Sequence, residues 1–364
     1  MTPLPPPHRV LIIKPSSLGD VVSAIALPAG LRRTFPHAHI AWLVVPSCAD
    51  ILRGQPKIDE LVIFDRRHYG RMSRNLRAAG DFLAFCRQLR AKQFDWAIDL
   101  QGLFRSGVMA WISRAKVRAG FADARELSRV FYTHAVKVDR PHTVDRNIQL
   151  AWSLGIDVRP EDFRLAILPE AAQQADALLA RHGLKPRQFI LAVPGARREN
   201  KMYPPQRWRE LLGLLGRPVV LTGAANEQEL CRQVAEDTAA VNLAGQTTLP
   251  VLAAMMARAQ AVICVDSAAN FIAPAVGAPH LELVGPTDPL RTGPYRSGRA
   301  VAAQVPCQGC LRRRCRRHVC MDSIAPKRVA AELEALLASG RTKEAGMGQS
   351  EAGDWAGRPD PTTM

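Results

Sequence analysis

The chain has 364 residues, with 49 Lys and Arg against 33 Asp and Glu and a formal net charge of +16. That length exceeds one ordinary core and predicts two domains, each large enough to bury its own. The charge asks for an anionic partner, but dispersed arginines and an aromatic content of 6% argue against nucleic acid, whose binding surfaces interleave stacked rings with cations.

The amino-terminal MTPLPPPHRV carries no apolar core of signal-peptide length, and no stretch approaches a run of roughly 18 apolar residues, so a cytoplasmic protein is expected. Residues 10–13 (VLII) read as a buried parallel strand, 15–19 as a turn, and 21–27 as the inner face of the first helix. Asp20 then lies at the carboxyl end of a strand. Ligands of open α/β sheets gather there, although an acid at a helix start also serves simply as an N-cap. Residues 39–45 and 60–64 read as strands, and a basic stretch at 66–77 leads into a helix over 76–93. A strand over 94–100 ends in Gln101-Gly102, another strand spans 117–121, and a helix over 143–154 closes the first domain. The pattern weakens between residues 155 and 185, where a helix over 171–182 forms the hinge region.

A second series follows. Residues 189–193 run into PGARRENK, 218–222 into GAANE, 261–265 into DSAAN and 280–284 into GPTDP. Apolar strands that each end in a small or polar turn predict a parallel sheet with its loops gathered at one edge. The domains are placed at 1–170 and 171–338, with a helix over 326–337 and a disordered tail over 339–364, rich in Gly, Ser, Asp and Pro.

The turns of the second domain fit a diphosphate better together than singly. Gly195 lets backbone approach a ligand, Lys201 offers an ammonium, Asp266 and Ser267 stand where a helix begins, and Thr287 follows Gly285 in a further small turn. Taken alone, each has a bland reading as a cap or a solvated side chain. Neither G-x-G-x-x-G after the first strand nor G-x-x-x-x-G-K-[ST] is present, which removes the dehydrogenase and P-loop readings and leaves a nucleotide sugar.

KPSSLGD, DLQGLFRSG at 99–107, AREL and FY within 124–132, PGARRENKMYP at 194–204 and GPTDP at 285–289 occur in one order. In that order they resemble the lipopolysaccharide heptosyltransferase family, glycosyltransferase family 9, from about residue 10 to about residue 329. The resemblance implies the α/β GT-B architecture, two Rossmann-like parallel-sheet domains facing across a cleft. It implies inverting transfer of heptose from ADP-heptose to Kdo-lipid A or heptosyl-Kdo-lipid A, with no cofactor required for catalysis. The partners would be the donor, an anionic glycolipid acceptor and the inner face of the inner membrane, met peripherally, with no nucleic acid.

On the same resemblance Asp20 is the general base and Lys201 the group beside the leaving phosphate. The donor set is Ser16, Ser17, Gly19, Gly195, Lys201, Glu227, Asp266, Ser267, Ala268 and Thr287, and the acceptor set is Arg105, Arg125, His142 and Arg146. One position departs from the family pattern. Phe271 stands where D-[ST]-[GA]-x-x-H has its histidine, and phenylalanine cannot donate a hydrogen bond to phosphate. Arg197 and Arg198 offer substitute charge, and transfer of another nucleotide sugar or a non-catalytic nucleotide-sugar binder are the alternatives.

Four cysteines remain, in CQGCLRRRCRRHVC. Cys307, Cys310, Cys315 and Cys320, beside His318, have a spacing that suits a structural zinc, whereas the intervening arginines suit low-pKa free thiols or a redox pair. Cys48, Cys86, Cys231 and Cys264 read as buried, reduced thiols.

Overall fold

The computed structural model describes residues 4–296 and 298–345, with side chains through residue 339. The described chain divides into two compact units, the first ending at Phe163 and the second beginning at Arg164.

In the first unit, β1 (Arg9–Ile13), β2 (His39–Val44), β3 (Glu60–Ile63), β4 (Trp96–Asp99), β5 (Val117–Phe121) and β6 (His134–Val136) form one sheet in the order β3-β2-β1-β4-β5-β6. Every pairing is parallel. Parallel strands are covered on both faces, so central ones need unbroken apolar runs, and residues 10–13 are fully buried. The chain winds outward from β1 to β3, then returns to place β4 on the other side of β1. That reversal opens a crevice at the carboxyl ends of β1 and β4.

The second unit repeats the plan. Its strands β7 (Ile190–Val193), β8 (Val219–Leu221), β9 (Val241–Asn242), β10 (Ala261–Val265), β11 (His280–Val284) and β12 (Arg299–Ala302) run in the order β12-β11-β10-β7-β8-β9, again all parallel. Counted from its own first strand this is the same winding, with the reversal between β7 and β10. Trp42 and Trp96 fill the first core, and Phe189, Tyr203 and Trp208 the second. Tyr203 is buried with its hydroxyl donating to the Ile324 carbonyl at 2.7 Å, which ties residue 324 to the start of helix Pro205–Leu214.

Several expectations are corrected. The single helix expected over 21–27 is two, Leu18–Ser23 and Leu27–Thr34. Pro28 sits in the first turn of the latter, where a missing N–H is harmless, so the chain restarts there. Leu18 and Gly19 are helical rather than part of the turn. β6, β9 and β12 were not expected, and each is a sheet edge. The unit boundary precedes residue 170, because the Leu165 N–H already donates to the Ala275 carbonyl at 2.8 Å within the second unit. The last helix, Pro326–Ala345, runs past residue 339, and the rest of the expected tail, 346–364, lies outside the described residues. No described helix is long and apolar enough to cross a membrane.

Candidate active site

Asp20 and its neighbours fall at the winding reversal of the first sheet, Lys201 and Asp266 at that of the second, and the other sequence-predicted residues on adjoining loops and helices. In the first unit β1 leads directly into Lys14, which is buried, and its Nζ donates to the Leu100 carbonyl at 2.5 Å. Burial holds this ammonium below the ordinary lysine value; the charges of Asp20 and Asp99 pull it back up, while Arg125 and Arg146 push it down. Charges of both signs therefore converge on the end of β1.

Helix Leu18–Ser23 starts from Ser17 as its N-cap, and Asp20 is the third helical residue. Its Oδ2 accepts from the Ser17 N–H at 2.9 Å and from the Ser17 hydroxyl at 2.8 Å. Asp20 thus fills the reciprocal position of a capping box rather than the N-cap itself. Both hydrogen bonds to its carboxylate among the described residues go to Oδ2, which leaves Oδ1 available to a ligand.

Asp99 ends β4 fully buried, and burial pushes its carboxyl up. The Tyr132 hydroxyl donates to it at 2.6 Å, and the N–H groups of Gln101 and Gly102 at 2.8 and 3.2 Å. It is an internal staple that shapes the 101–105 loop. Gly102 has φ +64°, the left-handed region where glycine carries no Cβ penalty. Beyond the loop lies a small pocket lined in part by Ser16, Phe64, Arg66, Gln101, Arg105 and Met109. Gln101 Oε1 is buried there without a partner. Ser16 and Arg105 are brought together as lining residues; Arg66 and Gln101 were missed, although the basic run and the polar residue after β4 were the signals.

The remaining acceptor candidates are engaged differently. Arg146 donates to both carboxylate oxygens of Asp123 at 2.7 Å, with its guanidinium 5.1 Å over the Phe121 ring. The exposed Arg125 is anchored by its N–H to the Gly102 carbonyl at 2.9 Å. His142 is buried and caps helix Thr143–Trp152, its Nδ1 accepting from the Val144 N–H at 3.3 Å.

In the second unit Gly195, after β7, lies against Glu227, after β8. A Cβ at Gly195 would stand 2.2 Å from the Glu227 carboxyl, so any larger residue would have to displace that side chain. The Ala224 N–H holds that carboxylate at 2.8 Å. Lys201 Nζ donates to Asp266 Oδ2 at 2.7 Å, joining the loop after β7 to the end of β10, with the two side chains only 17% and 9% exposed. Asp266 therefore anchors the lysine. In this arrangement its own negative charge is unsuited to touching phosphate directly.

Ser267 Oγ accepts from the Ala269 N–H at 3.3 Å, while Ala268 begins the short helix Ala269–Ala275. Phe271 is buried within that helix. Behind the pair stands Glu282 of β11, 1% exposed with Oε2 unpartnered. Burial, then the charge of Asp266, drives its carboxyl well above the usual range. Asn200 Oδ1 and Thr287 Oγ1 are also buried without partners. Buried orphaned polar atoms beside an ion pair mark a place built for polar contacts not made internally.

The cysteine-rich segment packs on these loops. Gln308 Nε2 donates to the Gly285 carbonyl, the Leu311 N–H to the Pro286 carbonyl and Asn200 Nδ2 to the Arg312 carbonyl, at 2.7, 2.7 and 2.8 Å. Cys307, Cys310 and Cys315 are exposed and Cys320 is buried. Among the described residues no group of three or more His, Cys, Asp or Glu side chains is disposed to hold a metal. Backbone N–H groups of Arg317 and His318 lower the Cys315 thiol. Cys48, Cys86, Cys231 and Cys264 are buried and in no disulfide, as expected.

The chain is similar to lipopolysaccharide heptosyltransferase 1 of Pseudomonas aeruginosa, 29% identical over 372 residues that cover 92% of this chain and 99% of that protein. The Salmonella typhimurium protein of the same name is 29% identical over 301 residues, covering 79% of this chain and 91% of that one. The solved structure of Escherichia coli heptosyltransferase WaaC with ADP-2-deoxy-2-fluoro heptose superposes with a TM-score of 0.73 at 26% identity, covering 90% of this chain and 99% of that one. The profile of Glycosyltransferase family 9 (heptosyltransferase) matches residues 82–320, and the chain belongs to that family.

Proposed function

We propose that this protein transfers heptose from ADP-heptose, with inversion and without a catalytic metal, to the phosphorylated inner core of lipopolysaccharide, at Kdo-lipid A or heptosyl-Kdo-lipid A. The observation that carries the reading is the Lys201–Asp266 pair at the winding reversal of the second sheet, an oriented ammonium with the buried carboxyl of Glu282 behind it. Similarity to a heptosyltransferase solved with an ADP-heptose analogue supports the donor.

The chemistry follows from the residues. Asp20 Oδ1 accepts the proton of an acceptor hydroxyl as that oxygen bonds to the anomeric carbon, opposite the departing ADP. The sugar passes through an oxocarbenium-like state, the bond to the diphosphate breaks, and both electrons leave with ADP. Lys201 stabilises the charge growing on that leaving group, and Asp266 fixes where the ammonium points. Gly195 and Glu227 receive the nucleoside end, while Arg105 and Arg125 attract the acidic acceptor. Work on a lipid-anchored acceptor implies peripheral association with the cytoplasmic face of the membrane.

Incubation with ADP-heptose and Kdo-lipid A, followed by mass spectrometry and NMR of the anomeric proton, tests the reading. One added heptose of inverted configuration, unaffected by EDTA, is expected. Retained configuration, EDTA sensitivity or ADP release without product sinks it. Phe271 in place of the pattern's histidine favours a second reading, another nucleotide sugar as donor, which the same assay with a panel of donors resolves.

A further inference from the structure

We propose that the first unit docks on an anionic phospholipid bilayer through an apolar and basic patch built from helix Phe104–Ile112 and the turn Ser128–Phe131. The inference rests on the reading of the acceptor as a membrane-anchored glycolipid, and it names the surface that meets the membrane.

Phe104, Trp111, Leu127 and Val130 are 49%, 54%, 75% and 71% exposed. Folded soluble surfaces scatter such side chains; contiguous ones mark a binding face. Phe104 and Trp111 are seven residues apart on one helix and share a face. The turn rests directly on that helix. Phe131 meets the Phe104 ring edge-on at a centroid distance of 5.4 Å, and a Cβ at Gly107 would come within 2.7 Å of the Phe131 ring. Leu127 has φ +60°, so the turn holds an exposed leucine outward in a backbone conformation that side chains disfavour.

Arg105, Arg125 and Arg129 neighbour the apolar residues along the helix and the turn, all exposed and none in an ion pair among the described residues, and outnumber the one acid of the turn, Glu126, whose Oε2 accepts from the Phe104 N–H at 3.3 Å. Tryptophan and aliphatic residues beside unpaired arginines complement the boundary between acyl chains and anionic headgroups. A second copy of this chain would bring those arginines against their own kind. Arg105 and Arg125 also belong to the proposed acceptor side, so docking here brings that side to the lipid that carries the acceptor.

Trp111 supplies a reporter once Trp355 is replaced by Phe in every sample, since Trp42, Trp96, Trp152 and Trp208 are buried. Full-length protein is mixed with phosphatidylethanolamine vesicles, with or without phosphatidylglycerol, and with brominated acyl chains, in the absence of donor and acceptor. Expected are co-sedimentation only when phosphatidylglycerol is present, and bromine quenching that disappears in Trp111→Phe. The Leu127→Ser/Val130→Ser variant, altered only at highly exposed positions, should bind roughly tenfold or more weakly. No vesicle binding, equal binding by the double variant, or quenching that survives Trp111→Phe overturns the proposal. So does a stable wild-type dimer that the double variant abolishes. Because neither substrate is present, these outcomes are independent of heptose transfer. Failure of transfer with docking intact would count against the functional reading alone.

Discussion

The two sheets are wound alike, yet the chemistry gathered at their reversals differs in kind. In the first unit the candidate groups are open: Asp20 keeps one oxygen clear, and Arg105 and Arg125 face outward. In the second they are enclosed: Lys201 and Asp266 bond each other, and Glu282, Asn200 Oδ1 and Thr287 Oγ1 wait buried. A large, variable glycolipid needs an open basic face, whereas a compact diphosphate gains most from a preoriented, partly desolvated cation. On the proposed reading one scaffold supports both tasks, and the loops decide which.

The largest effect that would sharpen this contrast is at Asp20. Asp20→Asn keeps an oxygen for Ser17 but cannot take a proton, so kcat should fall by about 10³ with an unchanged melting temperature. Near-wild-type turnover would reduce Asp20 to its capping role. Lys201→Met should lower kcat by roughly 10² and also destabilise the second unit by about 3 kcal/mol, because Asp266 is left buried and unpaired beside Glu282. Adding Asp266→Asn should recover most of that stability and none of the activity, as read by urea titration and turnover together. Recovery of both would break the idea of an internal, preoriented donor side.

The pH response probes the same enclosed sheet. Burial holds His280, at the start of β11, down to about 4 from an ordinary 6.5. As pH falls from 6.5 towards 4 the unfolded chain binds a proton that the folded one refuses, so stability is lost across that window, by roughly 3 kcal/mol in all. His280→Asn should flatten the loss in urea unfolding between pH 7 and pH 4.5, and an unchanged slope would show that ring to be solvated. Smallest of all, Arg125→Ala should raise the acceptor KM about fivefold and leave the donor KM alone. A matched rise in both would blur the division between units.

The central strands were readable because burial on both faces writes an uninterrupted apolar run, as in residues 10–13 and 261–265. β6, β9 and β12 were not, since an edge strand can be as short as HAV or VN and stay half-exposed, which leaves no period to detect. Asp20, Lys201 and Asp266 were legible from their places after strands, but the direct bond between the last two joins positions 65 residues apart. Such a pairing appears only when β7 and β10 lie side by side. Glu282 was visible as the one acidic letter in HLELV, and nothing in the sequence alone said that its neighbour would be another acid's charge.

The double grip of Ser17 on one oxygen of Asp20 has a kinetic consequence. Rotation of that carboxylate is surrendered when the first turn of the helix closes, long before any sugar arrives. On the proposed role of Asp20 as base, an incoming hydroxyl would then meet an aimed oxygen instead of a swinging group, and the orientational entropy of the proton transfer would be settled during folding rather than during each turnover.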